Sequence, residues 1–396
     1  MNRLLPLLVA TVAVGACSKP GPDVDALARE YLFLELSMAQ HDPAHVDAYF
    51  GPEDVRAAAE DQALSLDELL VASGDLAARL ANIDTGDDRM LQMRIEGLLA
   101  RLQALDTRIA INKQEFLDFD DESAALFGSV APTHDAAHFQ AILDEIDALL
   151  PGDGSLSKRV EAFNERFVID LDKLPAVFDA AMAECRRLTL EHIELPAHES
   201  FTIEYVTDKP WSGYNWYQGN AQSLIQVNTD FPIFISRAVD LGCHEGYPGH
   251  HTFNALLEEK LVRAKGWIEY SLYPLFSPQS LIAEGSGNYG IELAFPGDER
   301  MAFEKEVLFP LAGLDVADTD LYYAVQGLIA QLDFAGNEAA RGYLNYRSYV
   351  INYNHGKALV ADYVERGDAD LDERWARFER LLSLPLLPQD LQEEPL

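Results

Sequence analysis

The sequence predicts a mainly α-helical protein with one small β-sheet set just ahead of a chemically loaded helix. Three observations carry that prediction. Apolar residues recur at helical spacing through most of the 396 residues, as at Leu66, Leu69 and Leu70 and again at Leu76 and Leu80. Two stretches, residues 201–208 and 223–230, instead alternate as strands do. Soon after them, His244-Glu245-Gly246-Tyr247-Pro248-Gly249-His250-His251 sets three imidazoles and a carboxylate around a Pro-Gly step.

The chain begins Met1-Asn2-Arg3 and continues in an apolar run, residues 4–15, with small residues before Cys17. One positive charge, an apolar segment too short to span a bilayer and a small-residue cleavage site describe a secretory signal. The Ala16-Cys17 step resembles a bacterial lipobox, in which Cys17 is lipidated and becomes the first mature residue. An ordinary cleaved signal is the alternative. The expected organisation is a signal over 1–16, a lipidated Cys17 with a tether to residue 24, and one mainly helical domain over 25–396 whose site lies within about 200–365. The expected location is the periplasm, on the outer membrane, with contact to the membrane only through the lipid at Cys17.

Helices are expected from residue 25 to about 105, broken at Asp42-Pro43, Gly51-Pro52 and Thr85-Gly86, with no strands among them. An acidic connector over 112–132 leads to helices over 134–150 and 155–190. The strands 201–208 and 223–230 pair, and the aromatic segment from Trp211 to Asn220 loops between them. The helix carrying His244 is expected to start at Asp230 as N-cap, with Pro232 in its first turn. Helices over 252–265, 278–295, much of 300–366 and about 372–382 complete the chain.

The net charge of −36 excludes nucleic acid and anionic lipid head groups as partners. Besides Cys17 the chain holds Cys185 and Cys243. Export permits them to pair, but a chain of this length buries its own core without a disulfide framework, so Cys243 is expected to be a small buried hydrophobe.

In a HExxH helix two histidines four residues apart share a face, but the fourth residue after His244 is Pro248. An unbroken helix would put His250 about 240° around from His244, and His251 roughly 10 Å along the axis, so neither could share a metal with it. Pro248 denies a hydrogen bond to the His244 carbonyl and Gly249 accepts positive φ, which predicts a break that swings one of them back.

A catalytic zinc takes three protein ligands and leaves one position open. The candidates are His244, then His250 or His251, then Glu284, with Glu292 the next choice. Glu284 lies among Gly285, Ser286, Gly287 and Gly290, which weaken a helix and therefore imply a close neighbour that compensates. Glu245 is placed to act as general base, and Asp240 to orient His244. Tyr349, Tyr353 and His355 are candidates for stabilising a developing oxyanion, and Arg347 for holding a substrate carboxylate. The edge of strand 223–230 could receive a peptide, with Trp211, Tyr214 and Trp216 lining its pocket. His41/His45 and His134/His138 share the four-residue spacing but read as structural pairs.

The octapeptide motif, the Glu284-Gly285 step followed by Tyr289, and Tyr353-x-His355-Gly356-Lys357 together resemble the bacterial family known as domain of unknown function 885, over about residues 110–365. The resemblance implies a zincin-like, mainly helical metallopeptidase, often an exported lipoprotein, and supports His244, Glu245, His250, His251 and Glu284 as site residues. Among these His250 is favoured as ligand, with His251 behind it or facing substrate. The chain departs from the family at Ser286, where tryptophan is usual, and over residues 314–320, which replace a segment containing Arg and His. The expected function is a zinc-dependent hydrolase cleaving short peptides. An amidase acting on another small amide, and a non-catalytic periplasmic lipoprotein with a structural or degenerate metal site, are the alternatives. A structural site has no use for a carboxylate beside its first ligand, so Glu245 favours an enzyme.

Overall fold

Helix α1 (Val24–Met38) begins where the Asp23 side chain accepts the Asp25 amide, and α3 (Leu66–Ala81) where Ser65 and Glu68 close a reciprocal capping box. With α2 (Glu53–Gln62) and α4 (Arg89–Asn112) they bury Tyr31, Leu32, Leu69, Leu76, Leu98 and Leu102 in a cluster of their own. The computed structural model describes residues 23–342 and 348–392. The signal, the lipobox with Cys17 and the residue Arg347 lie outside the described residues.

Five strands occur among the described residues: β1 (Val46–Tyr49), β2 (Ser200–Val206), β3 (Gly213–Tyr217), β4 (Gln222–Asn228) and β5 (Leu272–Pro274). The first corrects the expectation of helices alone near the N-terminus. β1 is only four residues long, too short for alternation to register, and it is held by antiparallel pairing with β5 across the fold. That pairing ties the N-terminal helices to the region of the site, since Leu272 belongs to their apolar cluster.

The two predicted strands do pair, as β2 and β4, but in parallel, and β3 adds an antiparallel third to give the order β2-β4-β3. The aromatic segment expected to loop therefore contributes a strand. Its alternation is present, with Asn215 and Tyr217 buried and Trp216 exposed, but flanking turn residues mask it. Because β4 is central, both its edges are taken, and the outer strands of this sheet are β2 and β3 rather than the stretch 223–230.

Helices α5 (Phe119–Phe127), α6 (Ala136–Leu149), α7 (Leu156–Asn164) and α8 (Leu174–Leu190) precede the sheet, and α9 (Ile235–Leu241) and α10 (His250–Leu257) follow it. Asp230 does not cap α9: its carboxylate accepts the Asp208 amide at 2.6 Å, tying the ends of β2 and β4, and the helix starts after Phe234. Helix α11 (Pro278–Ala294) matches its prediction within a residue. The short helices α12 (Glu299–Phe303), α13 (Phe309–Ala312), α14 (Thr319–Ala330) and α15 (Ala335–Arg341) lead to α16 (Ile351–Glu365) and α17 (Leu371–Ser383). No helix among the described residues is long and apolar enough to cross a membrane.

The remaining histidine pairs are structural. His45 is buried against Glu35, His41 bonds the Leu64 carbonyl at 2.7 Å, and His134 stacks on His138 with ring centroids 4.7 Å apart.

Candidate metal centre

The helix breaks where Pro248 stands. α9 runs into one π-helical turn, Gly242–Gly246, Tyr247 is extended, the Tyr247–Pro248 peptide is cis, and α10 begins at His250. Gly249 does not use positive φ as expected; it sits at −77°. Its contribution is space. A β-carbon there would overlap the carbonyl oxygens of His244 and Cys243, and its amide donates to the Cys243 carbonyl at 3.0 Å. This fold-back brings the His250 ring to 4.6 Å from that of His244, nearly perpendicular to it.

Helix α11 crosses the break through its small residues. A β-carbon on Gly287 would lie 2.8 Å from Nδ1 of His244, one on Gly290 would lie 2.8 Å from Cγ of Pro248, and one on Gly285 would overlap the backbone at Gly356 of α16. The compensation predicted for this glycine-rich helix is thus close approach to the imidazole, the proline and a second helix. Each contact offsets a helix penalty of up to about 1 kcal/mol for glycine.

Glu284 then projects between the two imidazoles. Its Oε2 lies 3.1 Å from His244 Nε2 and 3.5 Å from His250 Nε2. Zinc bonds of about 2.0–2.1 Å at tetrahedral angles place ligand atoms about 3.3 Å apart, so the Glu284 oxygen stands at zinc-ligand spacing from each imidazole. Glu245 is close as well, with a carboxylate oxygen and one nitrogen of each of His244 and His250 all within 4.8 Å of one another. Of the two carboxylates, Glu284 makes the tighter approach to both rings and is the better ligand.

Hydrogen bonds behind these groups set their orientation. Asn288 donates its amide to the Tyr353 carbonyl at 2.9 Å, which leaves its oxygen to accept from Nδ1–H of His244 at 3.0 Å. The His244 proton is then on Nδ1 and the Nε2 lone pair is free for a metal. Tyr349 donates to the second oxygen of Glu284 at 2.8 Å and so fixes the orientation of that carboxylate. Burial disfavours the charged form of His250, but Glu284, Glu245 and Asp47 outweigh it and raise its pKa to about 9. Burial alone would raise Glu284 too; His250 and His244 instead hold it well below the usual carboxylate range.

The ligand groups line a cleft of about 1080 Å³ that also takes in Glu245, Asp47 and Tyr353. Burial, followed by the Glu284 and Glu245 carboxylates, pushes the Tyr353 phenol far above its ordinary value, so it keeps its proton. His355, predicted beside it, is elsewhere: its Nε2 meets the Ser129 hydroxyl at 2.8 Å and it does not line the cleft. Its neighbour Gly356 carries the packing of that motif, and Lys357 pairs with Glu292 at 2.6 Å, which removes Glu292 as a ligand. Asp240 pairs with Arg300 and Arg237 instead of orienting His244.

No family model matches this chain, and no curated protein matches it. Among solved structures it is similar to a Colwellia psychrerythraea protein described provisionally as a lipoprotein, with a TM-score of 0.45 and 14% identity, covering 93% of this chain and 74% of that one.

His251 points the other way from His250, because consecutive helical side chains diverge by about 100°. It is fully buried, with Nδ1 at 2.8 Å from the Ser223 hydroxyl on β4 and Nε2 at 3.1 Å from Glu199. It therefore faces neither the Glu284 carboxylate nor the cleft. His250→Ala should abolish stoichiometric zinc binding, measured by metal analysis after dialysis. His251→Ala should keep the metal but lose about 2–4 kcal/mol of stability in urea unfolding, because a buried carboxylate loses its partner.

Glu199 was not singled out by any motif. Burial would raise its pKa, but bonds from His251, Tyr247 and Arg186 prevail and lower it from 4.5 to about 2. A depressed carboxyl stabilises the fold above its unfolded pKa and loses that contribution as pH falls through the folded one. Its share is about 3 kcal/mol, present above pH 4.5 and gone below about 2. The stability gap between wild type and Glu199→Gln should therefore shrink between pH 5 and 2, read from urea midpoints at several pH values.

The cysteines correct a further expectation. Cys243 is buried as predicted, but it is bonded to Cys185 of α8, with Sγ–Sγ 2.20 Å. The disulfide ties the π-helical turn that carries His244 to α8.

Proposed function

We propose that the protein is a zinc-dependent hydrolase that cleaves short peptides. The observation that carries this reading is that Glu284 stands at zinc-ligand spacing from both His244 and His250, with Glu245 grouped with the same two imidazoles in an open cleft. Zinc would be held by those three side chains and would supply Lewis acidity to a bound water and carbonyl. Glu245 takes the proton of the attacking water and returns it to the leaving amine. Tyr353 keeps its proton in the cleft wall and donates toward the oxygen on which charge develops. Asn288 and Tyr349 hold His244 and Glu284 in place for the metal.

The zincin-like reading of the fold and the placement in the domain 885 family belong to the same proposal, supported by the motifs and by this geometry. So does export with a lipid on Cys17. A disulfide of buried cysteines suits an oxidising compartment such as the periplasm. The exposed edge of the sheet beside the metal is β3, whose Gly213, Tyr214 and Asn215 line the cleft, so a peptide would add there.

The test is metal analysis of the purified protein together with a peptide-library digest. One equivalent of zinc and zinc-dependent cleavage are expected. A protein that takes up no zinc on reconstitution at neutral pH would sink the proposal. A protein that binds zinc and cleaves only non-peptide amides would leave the amidase reading in its place.

A further inference from the structure

The strand β1 carries a side chain that neither the motifs nor the proposed mechanism uses. Its pairing with β5 slips at one point: Val46 faces Pro274 and Ala48 faces Tyr273, so Asp47 is the extra residue of a bulge. Bulges re-aim side chains and gather beside active sites. Here the residues on either side go into apolar packing, Val46 against the N-terminal cluster and Ala48 in the central one, while Asp47 lines the cleft.

The Asp47 carboxylate faces the centre itself. The charges that act on it are those of His250, Glu284 and Glu245, and in turn it acts on Tyr273 and Tyr353. Its hydrogen-bond partner is the Tyr214 hydroxyl. The arginines and the lysine that line the cleft are engaged elsewhere, Arg237 and Arg300 at Asp240 and Lys357 at Glu292. A carboxylate withdrawn from water among other carboxylates is costly, and a bound ammonium relieves that cost.

Resting on the peptidase reading above, we infer that Asp47 binds the free α-ammonium of the substrate, making this an enzyme that removes residues from peptide N-termini. The position of Asp47 selects the α-amine over a lysine side chain. Standard backbone geometry puts the α-nitrogen about 2.5 Å from the carbonyl carbon under attack, so its counter-charge must face the metal groups directly. A lysine ammonium would call for a carboxylate farther along the cleft.

The experiment compares a short leucine-led peptide with its N-acetylated form, using zinc-reconstituted wild type and Asp47→Asn. Wild type should favour the free amine by about 30–100-fold in kcat/KM, the range of a charge-assisted contact. Asp47→Asn should lose most of that preference by slowing the free peptide alone, with zinc content and the acetylated rate unchanged. Equal rates of wild type on the two peptides would overturn the inference, whether or not the variant folds. So would an equal loss on both in Asp47→Asn. Calorimetric binding of the same two peptides to zinc-loaded Glu245→Gln, with and without Asp47→Asn, separates the two readings. If neither peptide is cleaved but the free one binds more tightly through Asp47, hydrolysis fails and amine recognition stands. Equal binding of both forms would overturn amine recognition by itself.

Discussion

Glu245→Gln should retain one equivalent of zinc and lose about 10²–10⁴-fold in kcat/KM on any peptide the wild type cleaves, the range expected for removing a general base. The substitution preserves shape and removes the ability to take a proton. Zinc stays because Glu284 lies at ligand spacing from both His244 and His250, while Glu245 joins the two imidazoles only within the looser 4.8 Å group. Glu284→Gln should do the opposite first, weakening the metal. If Glu245→Gln lost zinc while Glu284→Gln kept it, the two carboxylates would have exchanged roles. If Glu245→Gln cleaved as fast as wild type with zinc bound, the general-base assignment would be wrong.

Gly249→Ala should lower zinc affinity by up to about 10²-fold, because the clash costs about 1–3 kcal/mol or more and falls on the ligand turn. The atoms a methyl group would meet there are main-chain oxygens of Cys243 and His244, so no side chain can swing away to make room. The backbone itself must open, and it carries His244 on one side and His250 on the other. Gly74→Ala is the control. It lies within α3 with nothing inside 4 Å of an added β-carbon, so zinc affinity should not change and stability should rise by up to about 1 kcal/mol. Competition against a chelator measures both affinities. Unchanged affinity in Gly249→Ala would mean that the close approach of the two turns does not set the site.

These expectations trace back to unequal kinds of information. The mainly helical character, the presence of β2 and β4, the break at Pro248 and the close packing of α11 were legible because each depends on local chemistry. Periodicity, a missing amide hydrogen and the helix cost of glycine act within a few residues. The pairing of His244 with Glu284 was legible for a related reason, since the glycines around Glu284 called for a close neighbour there.

Direction was not legible. Whether His250 or His251 turns to the cleft depends on how α10 leaves the break, which is decided by contacts of Gly249 with Cys243 and of His251 with Ser223 and Glu199. His355 shares its motif with Tyr353, yet two positions along a helix turn a side chain by about 200°, and it meets Ser129 instead. Asp47, Glu199 and Asn288 carry no motif. Their roles come from strand pairing and helix crossing over long sequence separations, as with the bulge of β1 on β5 and the Asn288 bridge to Tyr353. The disulfide belongs with them, because pairing Cys185 with Cys243 requires α8 to lie behind the ligand turn. The sequence by itself determined which chemical groups are present and where the backbone must bend. Only the tertiary structure decided which groups face one another, because a side chain's partner is set by elements that local chemistry cannot place.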